Sequence, residues 1–404
     1  MSPLSPSLDT IAVTAGRTAS GGSLAPPLWT TSTFELGGDV DARRLATTPG
    51  EARFYGRHGN PTVAAFEDAV AQMEGAEAAL AFASGMGALS AVVLGLCSRG
   101  SHIVAARQLY GGARQLLSGP CARFGIDVTF VDATRPGALS EAVEPGRTVL
   151  VVAESPANPR LDLVDLDELG AIQGPFTVVD STFATPFGQR PLAHGVDLVV
   201  HSATKAMAGH NDALLGVVCG SRDLVEWLWG FAVLQGAPAS PFDAMNGLRG
   251  LRTLGVRFRQ QTATALALAE ALEGLAAVRE VRHPGLASHP QADLARRQMQ
   301  LTGGLVSFEV AGGADAARRF VAALRLVRHA ASLGGPETLV CHPASTSHAG
   351  LREEELAEAG ISGGSVRISC GLEDPADIID DVRNALRSTA LPVSPTEPAL
   401  TATA

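Results

Sequence analysis

One lysine stands among 31 basic residues, at position 205 of 404; every other basic side chain is arginine. Arginine pairs well with carboxylates and phosphates, but its guanidinium is effectively never deprotonated and is a poor nucleophile. A lone lysine in that background points to amine chemistry, either a Schiff base with a carbonyl or general-base work. Its setting agrees, because HSATKAMAGHND (201–212) places Lys205 among hydroxyl and small residues directly after the apolar run VDLVV. The two tyrosines, Tyr55 in FYGRHGNPT and Tyr110 in LYGGA, both lie beside glycines in loop-like segments. A core-filling aromatic belongs on a strand or an apolar helix face instead.

A lysine that holds pyridoxal phosphate needs supporting groups. The phosphate wants backbone N–H groups at a helix N-terminus, hydroxyls and a cation. FASGMGALSAVVLGL (82–96) offers Ser84, Gly85 and Met86 opening an apolar helix; Ser202 and Thr204 flank the lysine, and Arg57 is a fixed charge. The pyridine nitrogen wants a carboxylate that keeps it protonated. Asp180, closing the run FTVVD 25 residues before Lys205, is the candidate. Taken alone, Asp180 reads equally well as a helix cap. Other motifs fit less well. SATK matches the S-x-x-K of serine acyl enzymes, but S-D-N and K-T-G are missing. GMGALS has Ser90 where a dinucleotide fingerprint wants glycine, and it is expected to follow a helical stretch. Cys341, His342 and His348 match no common zinc spacing and read as loop residues, so no metal is expected.

These residues need a frame. A hydrophobic content of 46% over 404 residues makes a globular protein large enough for two cores. The net charge of −10 offers no basic patch for nucleic acid, and no apolar run is long enough to span a membrane. The N-terminus lacks signal-peptide features, and five scattered cysteines read as buried hydrophobes, so a cytoplasmic protein is expected. The first 60 residues look like an extended arm. Asn60-Pro61 then starts a helix. Up to about residue 220, helical stretches alternate with HIVAA, DVTFV, TVLVVA, FTVVD, VDLVV and LLGVVC. Doubly apolar runs separated by helices predict an α/β fold with a mostly parallel sheet, whose ligand lies beyond the strand carboxyl ends. Glu154, Asp180 and His201 fall there. After residue 240, a long helix over roughly 244–275 and a new strand–helix alternation predict a smaller α/β domain. The division is 1–60 for the arm, 61–243 for the large domain, 244–390 for the C-terminal domain and 391–404 for a disordered tail.

FYGRHGNPT, FASGMGA, LYGGA, ESPANP, VVDSTFATP, HSATKAMAGHND, SLGGPETLVCHPASTSH and VRISCGLED occur in this order. The series resembles the transsulfuration family of pyridoxal-phosphate enzymes: cystathionine and methionine γ-lyases, cystathionine γ-synthases and homoserine-ester sulfhydrylases. It spans roughly residues 10–390. The resemblance implies fold type I, aspartate aminotransferase-like, with a seven-stranded sheet in the large domain. It implies that Lys205 carries the cofactor and shuttles protons, Asp180 pairs the pyridinium, and Tyr110 stacks on the ring and acts on the leaving group. Gly85, Met86, Ser202 and Thr204 would bind the phosphate. Tyr55 and Arg57 would reach the phosphate of a neighbouring subunit, in a homo-oligomer expected to be a dimer of dimers. Arg367 would clamp the α-carboxylate of a small amino-acid substrate, helped by Ser332 and Asn158. The implied activity is γ-elimination from methionine or cystathionine to a 2-oxo acid and ammonia. The alternative is γ-replacement on an O-acylhomoserine. Outside this family, a serine acyl-transfer enzyme or a plain binding protein is the competing class.

Several positions depart from the family pattern. Ala331 stands where cystathionine-handling relatives commonly carry an acidic residue, which fits a smaller or uncharged distal end. Gly112 replaces the cysteine frequent in methionine γ-lyases. Ser181, Ala206, Gly56 and Asn211 replace an asparagine, an aromatic and two serines. Ala206 is expected to open space beside the lysine.

Overall fold

The computed structural model describes residues 6–17 and 22–389, so the tail expected at 391–404 lies outside the described residues. Seven strands form the larger sheet: β1 (Ala78–Phe82), β2 (His102–Ala106), β3 (Asp127–Val131), β4 (Thr148–Glu154), β5 (Phe176–Asp180), β6 (Leu198–His201) and β7 (Gly216–Gly220). Their order is β1-β7-β6-β5-β4-β2-β3, and only β7 runs against its neighbours. Side chains alternate across a strand, so both faces must be covered. Leu150, Val152, Val178 and Val200 pack on one face with residues of helix Gly85–Leu96. Val151, Ala153 and Val179 meet Leu166 and Leu169 on the other. Crossover connections leave the carboxyl ends of β1, β2, β4, β5 and β6 on one edge of the molecule, where the chain turns into loops.

The segment before GMGALS is a strand, not the expected helical stretch. Alanine and leucine favour helices, but AALAF pairs residue for residue with β7, and tertiary pairing overrides propensity. The first 60 residues are likewise not wholly extended. Ser7 caps a helix over Leu8–Thr14, which buries Ala12 in the same core as helix Pro61–Glu74. A second helix, Asp39–Thr47, opens with Asp39 and Asp41, whose charges suit its N-terminus.

The smaller sheet comprises β8 (Val278–Arg282), β9 (Leu305–Val310), β10 (Arg328–His329), β11 (Leu339–Cys341) and β12 (Ser365–Ser369), in the order β10-β11-β12-β9-β8. Cys341 therefore sits in a strand, paired with Arg367, and not in a loop. The single helix expected over 244–275 is two, Pro241–Leu251 and Leu254–Leu272. At the break the Gly250 carbonyl accepts from Thr253 N–H and from the buried Arg257 guanidinium, which also donates to the carbonyls of Ala206 and Met207. That contact ties the helix junction to the turn after Lys205. Among the described residues, no helix is long and apolar enough to cross a membrane.

Candidate active site

Lys205 follows β6 in a turn whose geometry its neighbours enforce. Thr204 Oγ1 accepts from Leu215 N–H at 2.8 Å and gives its proton to Leu215 C=O at 3.1 Å. The Lys205 amine is half-buried and donates to Ser332 Oγ at 3.0 Å. Burial, then the nearby Arg367 charge, lowers its pKa from the ordinary lysine value. Ser332 arrives from the C-terminal part of the chain with φ of +86°, a left-handed conformation a non-glycine residue holds only under constraint. Its carbonyl accepts from Arg367 NH2 at 3.1 Å, so one residue touches both the amine and the guanidinium.

Arg367 lies on β12 and is 4% exposed. NH1 donates to Asn158 Oδ1 at 2.7 Å, its charge stands over the Phe183 ring, and Nε is buried without a partner. Among the described residues that nitrogen has an open donor, and a buried guanidinium suits an anionic partner.

Asp180 and Glu154 end adjacent parallel strands in direct register. Thr182 donates to Asp180 through both its N–H and its hydroxyl, and the same hydroxyl accepts Ser202 N–H at 2.8 Å. Burial raises the pKa of Asp180 above the ordinary carboxyl value, against those bonds. Burial, then the charge on Asp180, raises Glu154 well above it. Two desolvated carboxyls side by side favour a cation or a proton between them and solvent. Thr182 was missed by sequence reasoning. The signal was present, since a threonine two residues after a strand-ending aspartate is placed to form an Asx turn.

Helix Gly85–Leu96 points its N-terminus at this turn. Ser84 caps it by accepting Gly87 N–H at 3.0 Å, while the N–H groups of Gly85 and Met86 make no hydrogen bond among the described residues. Glycine is required at 85, because a Cβ there would stand 2.7 Å from Ser202 Cβ. The Ser202 hydroxyl is free among the described residues. Tyr110 precedes helix Gly111–Ser118, with its N–H bound by Glu154 and its side chain exposed. The structure thus brings Lys205, Asp180, Gly85, Met86, Ser202, Thr204, Asn158, Ser332, Arg367 and Tyr110 to one cleft. Tyr55 and Arg57 are exposed and turn elsewhere: Arg57 lies over the Tyr55 ring and donates to Val233 C=O at 2.7 Å.

Ala206 does not open space beside the lysine. It is buried in a core cluster with Met207 and Phe258, and Gly334 packs so closely on it that a Cβ there would stand 2.6 Å from Ala206 N. Asn211 adopts φ of +58°, a conformation asparagine tolerates better than serine. Of the loop histidines, His342 contacts Ser345 Oγ and Gly363 C=O, and His348 contacts Ser347 Oγ.

A doubly covered, mostly parallel sheet with a lysine at its carboxyl edge, facing a buried arginine on a second sheet, defines a class of amine-using enzyme. Comparison with known proteins supplies the family. The family model for Cys/Met metabolism PLP-dependent enzymes matches residues 9–387. The chain is 42% identical to an O-succinylhomoserine sulfhydrylase of Pseudomonas aeruginosa, over 94% of each protein. It is also 42% identical to an L-methionine γ-lyase of Pseudomonas putida, over 92% of this chain and 94% of that one. A crystal structure of cystathionine γ-synthase from Xanthomonas oryzae pv. oryzae, in complex with aminoacrylate and cysteine, superimposes with a TM-score of 0.89 at 38% identity. It covers 95% of this chain and 99% of that one. The chain belongs to the Cys/Met metabolism PLP-dependent enzymes, with the fold-type I architecture, and is an enzyme whose cofactor is pyridoxal 5′-phosphate. The residues present fit that group: open N–H groups on a glycine cradle, a buried carboxyl of raised proton affinity, and a single desolvated amine.

Proposed function

We propose that this enzyme is a carbon–sulfur lyase that breaks the carbon–sulfur bond at the γ carbon of a sulfur amino acid, releasing the sulfur as a thiol and, with one water consumed, giving a 2-oxo acid and ammonia. The observation that carries the reading is Ser332, which joins the Lys205 amine and the Arg367 guanidinium within one constrained residue. A substrate whose α-carboxylate meets Arg367 and Asn158 has its amino group and Cα delivered to Lys205. Bound pyridoxal phosphate supplies an electron sink for the pair released at Cα. Lys205, the one primary side-chain amine of the chain, is the residue that would hold the cofactor. Its Nζ would serve as the base for the Cα proton and, once that proton has been released, for a Cβ proton, and its lowered pKa suits a base working nearer neutrality. Asp180 would pair with the pyridine nitrogen, and Thr182 holds the Asp180 carboxyl in place by donating to it twice. Gly85, Met86 and Ser202 would hold the phosphate, and Thr204 would join them by turning the proton that Leu215 C=O accepts. Tyr110 would cover the ring and serve the leaving group.

Ala331, exposed and without charge beside Ser332, favours methionine over a substrate with a distal ammonium. A second reading, γ-replacement on an O-acylhomoserine, is supported by a sulfhydrylase relative at the same identity as the methionine γ-lyase. We further propose a division into an arm (1–60), a large domain (61–243) and a C-terminal domain (244–390). In a dimer of dimers, Tyr55 and Arg57 complete the phosphate site of a second copy. Their exposure supports this, as do the exposed apolar side chains Leu214, Leu234, Phe242 and Val256. Five buried free cysteines suit a cytoplasmic setting.

The test is product identification with L-methionine, L-cystathionine and O-succinyl-L-homoserine, each with and without a thiol. The lyase reading expects 2-oxobutanoate and ammonia from methionine without added thiol. A thioether formed only when thiol and ester are both present sinks it in favour of replacement.

A further inference from the structure

We propose that Glu154 is a positioning residue that sets both the tyrosine and the arginine clamp from one side chain. This rests on reading the cleft as the pyridoxal-phosphate site. Glu154 ends β4 and is 4% exposed. Oε2 accepts the Tyr110 N–H at 2.5 Å, and Oε1 accepts the Asn158 N–H at 2.9 Å. Neither donor belongs to a regular element. Tyr110 is the residue before helix Gly111–Ser118, with no side-chain cap of its own, and Asn158 lies in the loop after β4. The two bonds therefore tie loops from different strands to one rigid strand end.

The consequences run outward in two directions. Fixing the Tyr110 backbone fixes where its exposed ring can stand over the cleft. Fixing Asn158 fixes the oxygen that accepts Arg367 NH1 at 2.7 Å, and with it the orientation of the guanidinium fork. A carboxylate is suited to the task because it presents one acceptor oxygen to each N–H. An amide of the same shape presents one acceptor and one donor, so one of the two N–H groups would face another N–H.

The experiment compares Glu154→Gln and Glu154→Asp with the parent holoenzyme. Peptide-level amide hydrogen exchange reads the segments containing Tyr110 and Asn158. Binding of L-norleucine, an amino acid with a carboxylate but no γ leaving group, is read from the visible absorbance of the bound cofactor. Glu154→Gln is expected to speed exchange in at least one segment by about tenfold and to weaken L-norleucine by about tenfold, the worth of one charge-assisted hydrogen bond. Glu154→Asp, which keeps both oxygens, is expected to recover part of each loss. The proposal is overturned if Glu154→Gln leaves exchange and L-norleucine affinity within about twofold of the parent. It is equally overturned if both variants lower the melting temperature while L-norleucine affinity is unchanged, which marks a merely structural carboxylate. A parent protein that binds no cofactor overturns the site reading itself, and the exchange arm, which needs no cofactor signal, distinguishes that failure from the other two.

Discussion

Arg367 carries the sharpest energetic argument in the cleft. Its guanidinium is buried, two of its nitrogens bind neutral oxygens of Asn158 and Ser332, and Nε binds nothing among the described residues. A buried cation so placed suits a carboxylate partner, whose two oxygens match the planar fork. Arg367→Lys keeps the charge but loses the fork. It is expected to raise the KM for L-methionine by roughly 10- to 100-fold, with a smaller change in kcat, as steady-state kinetics would show. An unchanged KM would place the carboxylate elsewhere. At this scale the sequence was legible where composition singled residues out. Lys205 and Tyr110 are rare letters, and Arg367 sits in a short motif; Tyr55, equally rare, turns away from Lys205 in its own chain. Glu154 and Thr182 were less legible because their meaning lies in bonds to Tyr110, Asn158 and Ser202, up to 44 residues away. The left-handed backbone of Ser332 leaves no mark in the letters SLGG at all.

At the scale of elements, strands were readable when a doubly apolar run was bounded by charge or glycine, as HIVAA and FTVVD are; DVTFV alternates instead, because β3 is the half-exposed edge of the sheet. AALAF failed that test because its residues are good helix formers and only its partner β7 makes it a strand. β10 and β11 are too short to carry any period. The helix Pro61–Glu74 was legible from its start signal, and the structure explains why the signal is strong. Asn60 Oδ1 accepts the N–H groups of Thr62 and Val63, Asn60 Nδ2 donates to Trp29 C=O, and Pro61 occupies the first helical position. The cap therefore also anchors the segment that carries Tyr55 and Arg57. Asn60→Ala is expected to cost about 1–2 kcal/mol in chemical denaturation, as a lower midpoint at constant slope. Asn60→Asp, which caps but cannot donate to Trp29, is expected to lose less. Equal stability of Asn60→Ala and the parent would show that the proline alone starts the helix.

For the molecule as a whole, acid sensitivity follows from a buried histidine. His283 is fully buried; its Nδ1 accepts Gly285 N–H at 3.1 Å, which only the neutral ring can do, and burial pushes its pKa down to about 4. A base whose folded pKa lies below its unfolded value stabilises the protein above the unfolded pKa and loses that stability as pH falls. Its window runs from about 6.5 down to about 4, with on the order of 3 kcal/mol at stake. His283→Gln is expected to flatten the melting-temperature profile across that window, and a parallel profile would rule His283 out as a contributor. Assembly gives a stricter test, because Arg57 spends its side chain on Val233 at the surface and not on Lys205. If it serves the site of a second copy, every site takes Lys205 from one chain and Arg57 from the other. Co-expressed Lys205→Ala and Arg57→Ala chains then form mixed pairs in which both lesions fall in one site and the other site is intact. Random pairing makes half the dimers mixed, so about a quarter of the parental sites, and of the parental activity, should return. Were Arg57 to act within its own chain, no mixed pair would hold an intact site, and the co-expressed protein would stay as inactive as either variant alone.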